Sequence, residues 1–452
     1  MKKTILLFTV ILALSGCGDT AEVSTQTLET NTESVKSDNI YASDAQQLVW
    51  AVRAAHPAFV IDALPEGYDA AEREFLENAP TAADKDEFAL MAEKYMVSLK
   101  DEHTTLSGIY EELPKSITDL KRYCLNAINS YNYEDGKLYL RNEDGTSSEN
   151  YIVSIDDVAV EEIYKKVDEY FPMENSESVG YYREKYTFSK TILKMCGCDV
   201  DKDELIIEQN NENIPSEFID RMEGTDDEKP ESANVRYVGD ILYIDVNSFM
   251  EKDDKYVKAL DEIRGYAQNG VNKIILDLRG NNGGYMWIVT ETMRAFGMNM
   301  PYGETIYRHS SDEWVTCIKD LKTAAEDTYY STNAPSLNSA RVNPDIDLVV
   351  LCDINSMSAS VETCAGVQDG KLGTVIGRSS HNSPSFYAGV LFYTLPETGI
   401  NVQISSAYLK RADENAPQDV FVPDIVTGRY ENALKYAVEQ HYNETFNESD
   451  WQ

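Results

Sequence analysis

Apolar positions change their period twice along this chain. From residue 43 to 105 they recur at helical spacing: Leu48, Val52 and Ala55 fall on one face of a helix over Ala45–Ala55, which Ser43 or Asp44 can cap and Pro57 ends. Helical patterns also cover Tyr68–Asn78 and Glu87–Leu99, leaving Asp101-Glu102-His103-Thr104 just past a helix end. Between 106 and 230 the signal is mixed, with strand-like runs at Leu138–Leu140, Tyr151–Ile155 and Leu205–Glu208 and an amphipathic stretch from Val160 to Phe171. The polar run Glu223–Pro230 reads as a linker closing this region. From Val235 the pattern becomes strand, helix, strand. Ile241–Val246, Lys273–Leu278 and Leu348–Cys352 are apolar strand runs, and helices are expected at Asp254–Asn269, Trp287–Phe296 and Ala359–Val367. Strands near Thr374–Ile376 and Val390–Tyr393 follow, and an amphipathic helix over Tyr430–Tyr442 is expected on the outside. Such alternation predicts layered α/β packing.

The start of the chain reads differently. Lys2 and Lys3 precede an apolar stretch from Ile5 to Leu14, too short to span a bilayer and suited to the core of a signal peptide. Leu14-Ser15-Gly16-Cys17 has the form of a bacterial lipobox, so residues 1–17 are expected to be a lipoprotein signal with Cys17 lipidated. Residues 18–42 are rich in Thr, Ser and Glu without apolar periodicity, and are expected to form a disordered tether. The expected location is extracytoplasmic, on a bacterial membrane, with the lipid anchor as the only membrane contact.

Length and charge narrow the picture. A chain of 452 residues exceeds one compact core, which implies two or three modules. Its 78 acidic and 40 basic side chains give a net charge of −38, which repels phosphate backbones and anionic lipid and argues against nucleic-acid binding. That charge selects no substrate. Of the cysteines beyond Cys17, Cys352 and Cys364 lie in apolar patterns and read as core residues. Cys196-Gly197-Cys198 can pair with Cys124 or ligate a metal, yet a single C-x-C is a weak metal signal and no disulfide framework is indicated.

Two blocks carry the chemistry. Asp277-Leu278-Arg279-Gly280-Asn281-Asn282-Gly283-Gly284 ends a strand in a glycine-rich turn, where bare backbone N–H groups can face an oxyanion. It has neither the G-K-[ST] nor the G-x-G-x-x-G spacing of a phosphate loop. Ser356-Met357-Ser358-Ala359-Ser360-Val361-Glu362, running on to Gly366-Val367-Gln368-Asp369, puts a serine at a strand-to-helix junction. A hydroxyl at a helix N-terminus is exposed, in a field that favours developing negative charge. Together the blocks suggest an acyl-transfer site.

The blocks resemble the two halves of the active site in the C-terminal-processing (tail-specific) serine peptidases, whose patterns are Asp-Leu-Arg-x-Asn-x-Gly-Gly and Ser-Ala-Ser-Glu leading to Gln-Asp. The resemblance implies Ser358 as nucleophile, the N–H of Ala359 and of Gly283 or Gly284 as oxyanion hole, and structural roles for Asp277 and Arg279. Val361 stands where the family often has Glu, and Glu362 comes one residue later, so Ser360 and Ser356 remain fallback nucleophiles. One branch of the family places a lysine after the nucleophile. Here Ser383 takes that place, and no lysine occurs between Lys371 and Lys410. A second branch, resembling the tricorn core and retinoid-binding-protein repeats, uses the histidine of an upstream Asp-x-His-Thr motif. Asp101-Glu102-His103-Thr104 matches it, and His56-Pro57 is similar to that branch's N-terminal region.

His103 is therefore the expected base, with a side-chain type that titrates near neutrality, and His381 is its rival. His56, His309 and His441 have no comparable context. The branch places an orienting acid before a Val-x-Pro-Asp segment, nearest here to Phe421-Val422-Pro423-Asp424, which makes Asp419 and Glu414 the candidates. The implied fold is a crotonase-like ββα-superhelix core over 231–430, with a helical region at 43–105, a PDZ-like or purely structural insert at 106–230, and a last helix within 431–452. The PDZ-like reading rests on the run from Ile152 to Val160. The expected activity is that of a serine endopeptidase acting on peptide or protein, with no metal or cofactor. The alternative is a catalytically idle peptide- or ligand-binding lipoprotein on the same fold, and a hydrolase of non-peptide esters would use the same residues.

Overall fold

Residues 6–8, 26–28, 38–108, 112–221, 232–268, 270–308, 329–331, 336–342, 344–429 and 431–451 are described by the computed structural model. Cys17, His309, Cys317 and the expected linker Glu223–Pro230 lie outside the described residues.

The first helix runs Ile40–Ala55 and is capped by Asn39, whose side chain accepts the N–H groups of Tyr41 and Ala42. Neither Ser43 nor Asp44 is the cap. Asp44 is a buried helical residue, and its carboxylate accepts the N–H groups of Glu397 and Thr398 at 3.0 and 2.7 Å. The helix thus begins inside the stretch expected to be an unstructured tether, and within that stretch Gln26–Leu28 pairs antiparallel with Leu6–Phe8. Helices Tyr68–Asn78 and Lys85–Val97 complete the N-terminal layer. Its apolar faces, carrying Leu48, Phe75, Phe88 and Met96, pack with Val402 and Ile404 of a distant strand.

The middle region has its own core, including Leu120, Ile155, Ile163 and Phe188. A 7-stranded antiparallel sheet runs in the order Tyr123–Leu125, Asn213–Asp220, Glu204–Gln209, Ser147–Ile155, Lys137–Arg141, Tyr131–Glu134, with Val158–Ala159 pairing off Ser147–Ile155. Helices Lys115–Arg122, Val160–Tyr170, Ser176–Tyr186 and Lys190–Met195 accompany it. Cys124, Cys196 and Cys198 are all free thiols.

From Ala233 the alternation read from the sequence becomes a 6-stranded sheet: Ala233–Val238, Ile241–Val246, Lys273–Asp277, Asp347–Cys352, Thr374–Gly377, Ile425–Val426. Only the first pairing is antiparallel. Both faces are covered, which is why these strands are continuous apolar runs. Helices Asp254–Gln268, Met286–Ala295 and Ala359–Asp369 bury Leu276 and Val350 on one side. On the other, Leu434, Val438, Tyr442 and Trp451 bury Ile275, Val349 and Leu351. The last helix is therefore shorter and deeper than expected: an α-helical turn Ala433–Tyr436 continues as a π-helix Ala437–His441 packed against the sheet.

A second, antiparallel sheet joins Phe386–Thr394, Asn401–Leu409, Thr305–Arg308 and Tyr329–Ser331, and Thr105–Leu106 pairs with its Asn401–Leu409 strand. This sheet is bolted to helix Ala359–Asp369 by a buried ion pair: Arg411 Nη2 lies 2.7 Å from Asp369 Oδ1, and each side chain is 2% exposed. Arg411→Met would leave the Asp369 carboxylate buried and uncompensated. It is expected to lower unfolding free energy by about 3–5 kcal/mol in urea titration, and a loss below about 1 kcal/mol would show the pair to be dispensable.

Candidate active site

Strands Lys273–Asp277 and Asp347–Cys352 are parallel neighbours, so the turns leaving their C-terminal ends emerge side by side. That is what joins two motifs separated in sequence. Asp277 accepts hydrogen bonds from Tyr243 Oη at 2.8 Å and Arg279 Nη2 at 2.6 Å, consistent with a structural role for both motif residues. The turns are laced together: Ser356 Oγ donates to Leu278 O at 2.8 Å, Met357 N to Asn281 O at 3.0 Å, and Gly280 N to Asp353 Oδ1 at 3.0 Å. Gly283 must lack a side chain, because a Cβ there would stand 2.6 Å from Met357 O and 2.7 Å from Ser358 Cβ.

Ser358 precedes helix Ala359–Asp369 with φ 56° and ψ −121°. A non-glycine residue in such a conformation costs on the order of 1–3 kcal/mol and persists only when its surroundings hold it. Its N–H donates to Asn382 Oδ1 at 2.7 Å, and its carbonyl accepts Glu362 N–H at 3.0 Å. The fallback serines are differently placed. Ser356 is buried and spends its hydroxyl on Leu278 O, and Ser360 is buried within the helix.

The oxyanion donors need one correction. Gly283 N–H donates to Asn281 Oδ1 at 2.7 Å, so it is already taken. Ala359 is the first residue of its helix, so its N–H has no intrahelical acceptor. Ala359 and Gly284 are left as the candidate donors.

His103 Nε2 lies 3.1 Å from Ser358 Oγ. The loop bearing it is fixed from several sides: His103 N–H donates to Asp101 Oδ1 at 2.8 Å, its carbonyl accepts Gln403 Nε2 at 2.9 Å, and its ring stacks on Phe386 at 5.5 Å. Thr104 Oγ1 donates to Asp101 Oδ2 at 2.5 Å and accepts Ser405 N–H at 3.0 Å. The carboxylate facing His103 Nδ1 is Asp101, whose Oδ1 is 3.8 Å away. Asp419 and Glu414, the acids expected from the resemblance, are exposed, and the hydrogen bond described for Asp419 is made by its main-chain carbonyl, to Asn175 Nδ2.

His56, which sequence reasoning left without a role, stands behind Asp101. Its Nδ1 accepts Ala58 N–H at 3.2 Å, so its proton is on Nε2, which donates to Asp101 Oδ2 at 3.1 Å. The motif His56-Pro57 was the available signal. His381, the rival base, is engaged elsewhere: its Nδ1 is 2.8 Å from Glu102 Oε1 and its ring stacks on Tyr181 at 4.1 Å. Ser383, in the lysine's place, donates its N–H to Glu174 Oε1.

Electrostatics sort these groups. Burial lowers the His103 pKa below its ordinary 6.5; the Asp101 charge opposes this and His381 adds to it. Burial and Lys185 depress His381 to about 4, while burial and the Asp101 charge push Glu102 well up. Both shifts favour a neutral pair in which Glu102 donates to His381. Burial works to raise Asp101, but the hydrogen bond from His56, the charge that His103 carries when protonated and the Thr104 hydroxyl hold it at about 2. Among the described residues no His, Cys, Asp and Glu group is arranged to hold a metal ion, and no helix is long and apolar enough to cross a membrane.

Residues 240–427 match the family model for peptidase family S41. Among solved structures the chain is similar to mature CPAF, at 12% identity over 85% of this chain and 92% of that one, with a TM-score of 0.54. It is also similar to mature CPAF complexed with lactacystin, at 10% identity over 85% and 93%, with a TM-score of 0.53. A photosystem II D1 C-terminal processing protease matches at 13% identity over 86% and 92%, with a TM-score of 0.41. No curated protein matches the chain. At these identities the structural likeness is one of fold, and the family match covers both motif blocks and every strand of their sheet but Ala233–Val238.

Asp101 offers a test of this geometry. Its folded pKa of about 2 lies below the ordinary carboxylate value of about 3.9, so its stabilisation is complete above about pH 4 and is lost as pH falls through 2. Asp101→Asn is expected to flatten the fall in melting temperature between about pH 4 and pH 2. Identical slopes for wild type and variant would mean that Asp101 is not held in this way.

Proposed function

We propose that this chain, a member of the S41 serine-peptidase superfamily, is an extracytoplasmic endopeptidase in which Ser358 is the nucleophile, His103 the general base and Asp101 the orienting acid. The observation that carries the reading is the 3.1 Å approach of His103 Nε2 to Ser358 Oγ. Ser358 Oγ attacks the scissile carbonyl carbon as its proton passes to His103 Nε2. The tetrahedral oxyanion is stabilised by the N–H of Ala359, at the positive end of its helix, together with that of Gly284. His103 then protonates the leaving amine, and water hydrolyses the acyl-enzyme ester by the same steps in reverse roles.

During attack Nε2 accepts a proton, so Nδ1 carries the other and needs an acceptor. Asp101 Oδ1 at 3.8 Å supplies it after a small ring rotation, a tightening expected when substrate closes the site. The buried, unpartnered Nδ1 supports this reading. In the insert, strand Ser147–Ile155 leads through a turn into helix Val160–Tyr170, which supports a PDZ-like module that holds extended peptide. The lipobox ending at Cys17 supports a lipid-tethered enzyme whose substrates are peptides or proteins outside the cytoplasm. The absent lysine and displaced Glu362 favour a second reading, an idle binder on the same fold.

A fluorophosphonate probe separates the two. Wild type is expected to label, Ser358→Ala not at all, and His103→Ala at a rate lower by about 10²–10⁴-fold. A folded wild type that never labels would sink the peptidase reading. The base must be neutral to act and its pKa lies below 6.5, so kcat/KM is expected to rise with pH through an acid limb centred below 6.5 and to be level at neutrality. An acid limb centred above 6.5 would exclude His103 in this environment.

A further inference from the structure

Ser358 holds its unfavourable backbone angles partly because its N–H has a fixed acceptor, and that acceptor is itself held from outside the core domain. Asn382 is fully buried. Its amide orientation is dictated by chemistry: a backbone N–H needs an oxygen, so Oδ1 faces Ser358 and Nδ2 points away. Nδ2 donates to Glu174 Oε1 at 3.2 Å and Oε2 at 3.0 Å, and the next residue, Ser383, donates its N–H to Glu174 Oε1 at 3.0 Å.

Glu174 belongs to the insert, in the connector between helices Val160–Tyr170 and Ser176–Tyr186. Its neighbour Asn175 donates to Ser383 Oγ at 3.1 Å and to Asp419 O at 3.2 Å. Tyr181 lies over His381, and Arg429 of the core pairs with Glu184. The insert is thus docked on the 380–383 loop at the point where that loop grips Ser358.

We propose that Glu174 and Asn382 are positioning residues through which the docked insert holds Ser358 in its attacking conformation; this rests on Ser358 being the nucleophile. Without the Glu174 acceptor, Asn382 either flips, turning a donor toward the Ser358 N–H, or moves. In both cases the Ser358 peptide loses its anchor and φ relaxes toward ordinary values, carrying Oγ away from His103. Docking of the insert therefore completes the site. Two of the three bonds fall on Oε1, so they do not require a charged carboxylate. Burial together with the Asp101 charge favours the neutral form of Glu174, and glutamine can keep the two bonds on Oε1 while losing the one on Oε2.

The test measures kcat, KM, fluorophosphonate labelling rate and melting temperature for wild type, Glu174→Ala, Glu174→Gln and Asn382→Ala. Expected is a fall of about tenfold or more in kcat and labelling for Glu174→Ala and Asn382→Ala with KM within about twofold, and partial rescue in Glu174→Gln, which keeps the two bonds on Oε1. Wild-type kcat in Glu174→Ala would overturn the proposal. So would equal impairment of the Ala and Gln variants, which would make Glu174 a general structural residue. If wild type itself fails to label, the nucleophile assignment falls and this proposal with it, whereas a labelled wild type beside an equally labelled Glu174→Ala removes the positioning role alone.

Discussion

A serine at φ 56° and ψ −121° is a constraint on everything around it. Such a conformation relaxes unless the packing is over-determined, and here each neighbour removes one escape. Gly283 lets the preceding turn press against Ser358 with no side chain between them, Asn382 fixes the N–H, and the helix starting at Ala359 fixes the carbonyl through Glu362. The parallel pairing of Lys273–Asp277 with Asp347–Cys352 makes this possible, because only adjacent strands running the same way deliver both turns to one edge.

The two sheets divide the labour. The parallel sheet carries Ser358 and its glycine turn, and the antiparallel sheet carries His103, because Thr105–Leu106 joins it as an extra strand beside Val402 and Gln403. Around their junction the fold buries several acids and neutralises them by different means. Asp101 stays charged under hydrogen bonds from His56 and Thr104, whereas burial favours the protonated forms of Glu102 and Glu174. Three charged carboxylates near one histidine would otherwise raise its pKa.

What the sequence disclosed was local. The glycine turn, the serine junction and the Asp-x-His-Thr run are each a few residues long, and the structure brings His103 to Ser358. What it concealed depends on contacts across long separations. Asp101 sits inside the recognised motif, yet that its carboxylate turns back toward the imidazole is a property of the folded loop. His56 acquires a partner only through a contact 45 positions away. The Gly283 N–H looked free until Asn281 folded over it. Strand Asn401–Leu409 escaped notice because the alternation begun by Val402 and Ile404 breaks at Ser405-Ser406, leaving too short a periodic run to mark a strand.

His103 and Ser358 are 255 positions apart, and the loop of His103 is held by a strand that ends only at Leu409. A chain made from its N-terminus carries the histidine long before the residues that orient it. No fragment ending short of that strand contains an assembled site. The order of emergence therefore sets the order of assembly: His103 and Ser358 can be brought together only once nearly all of the chain has been made.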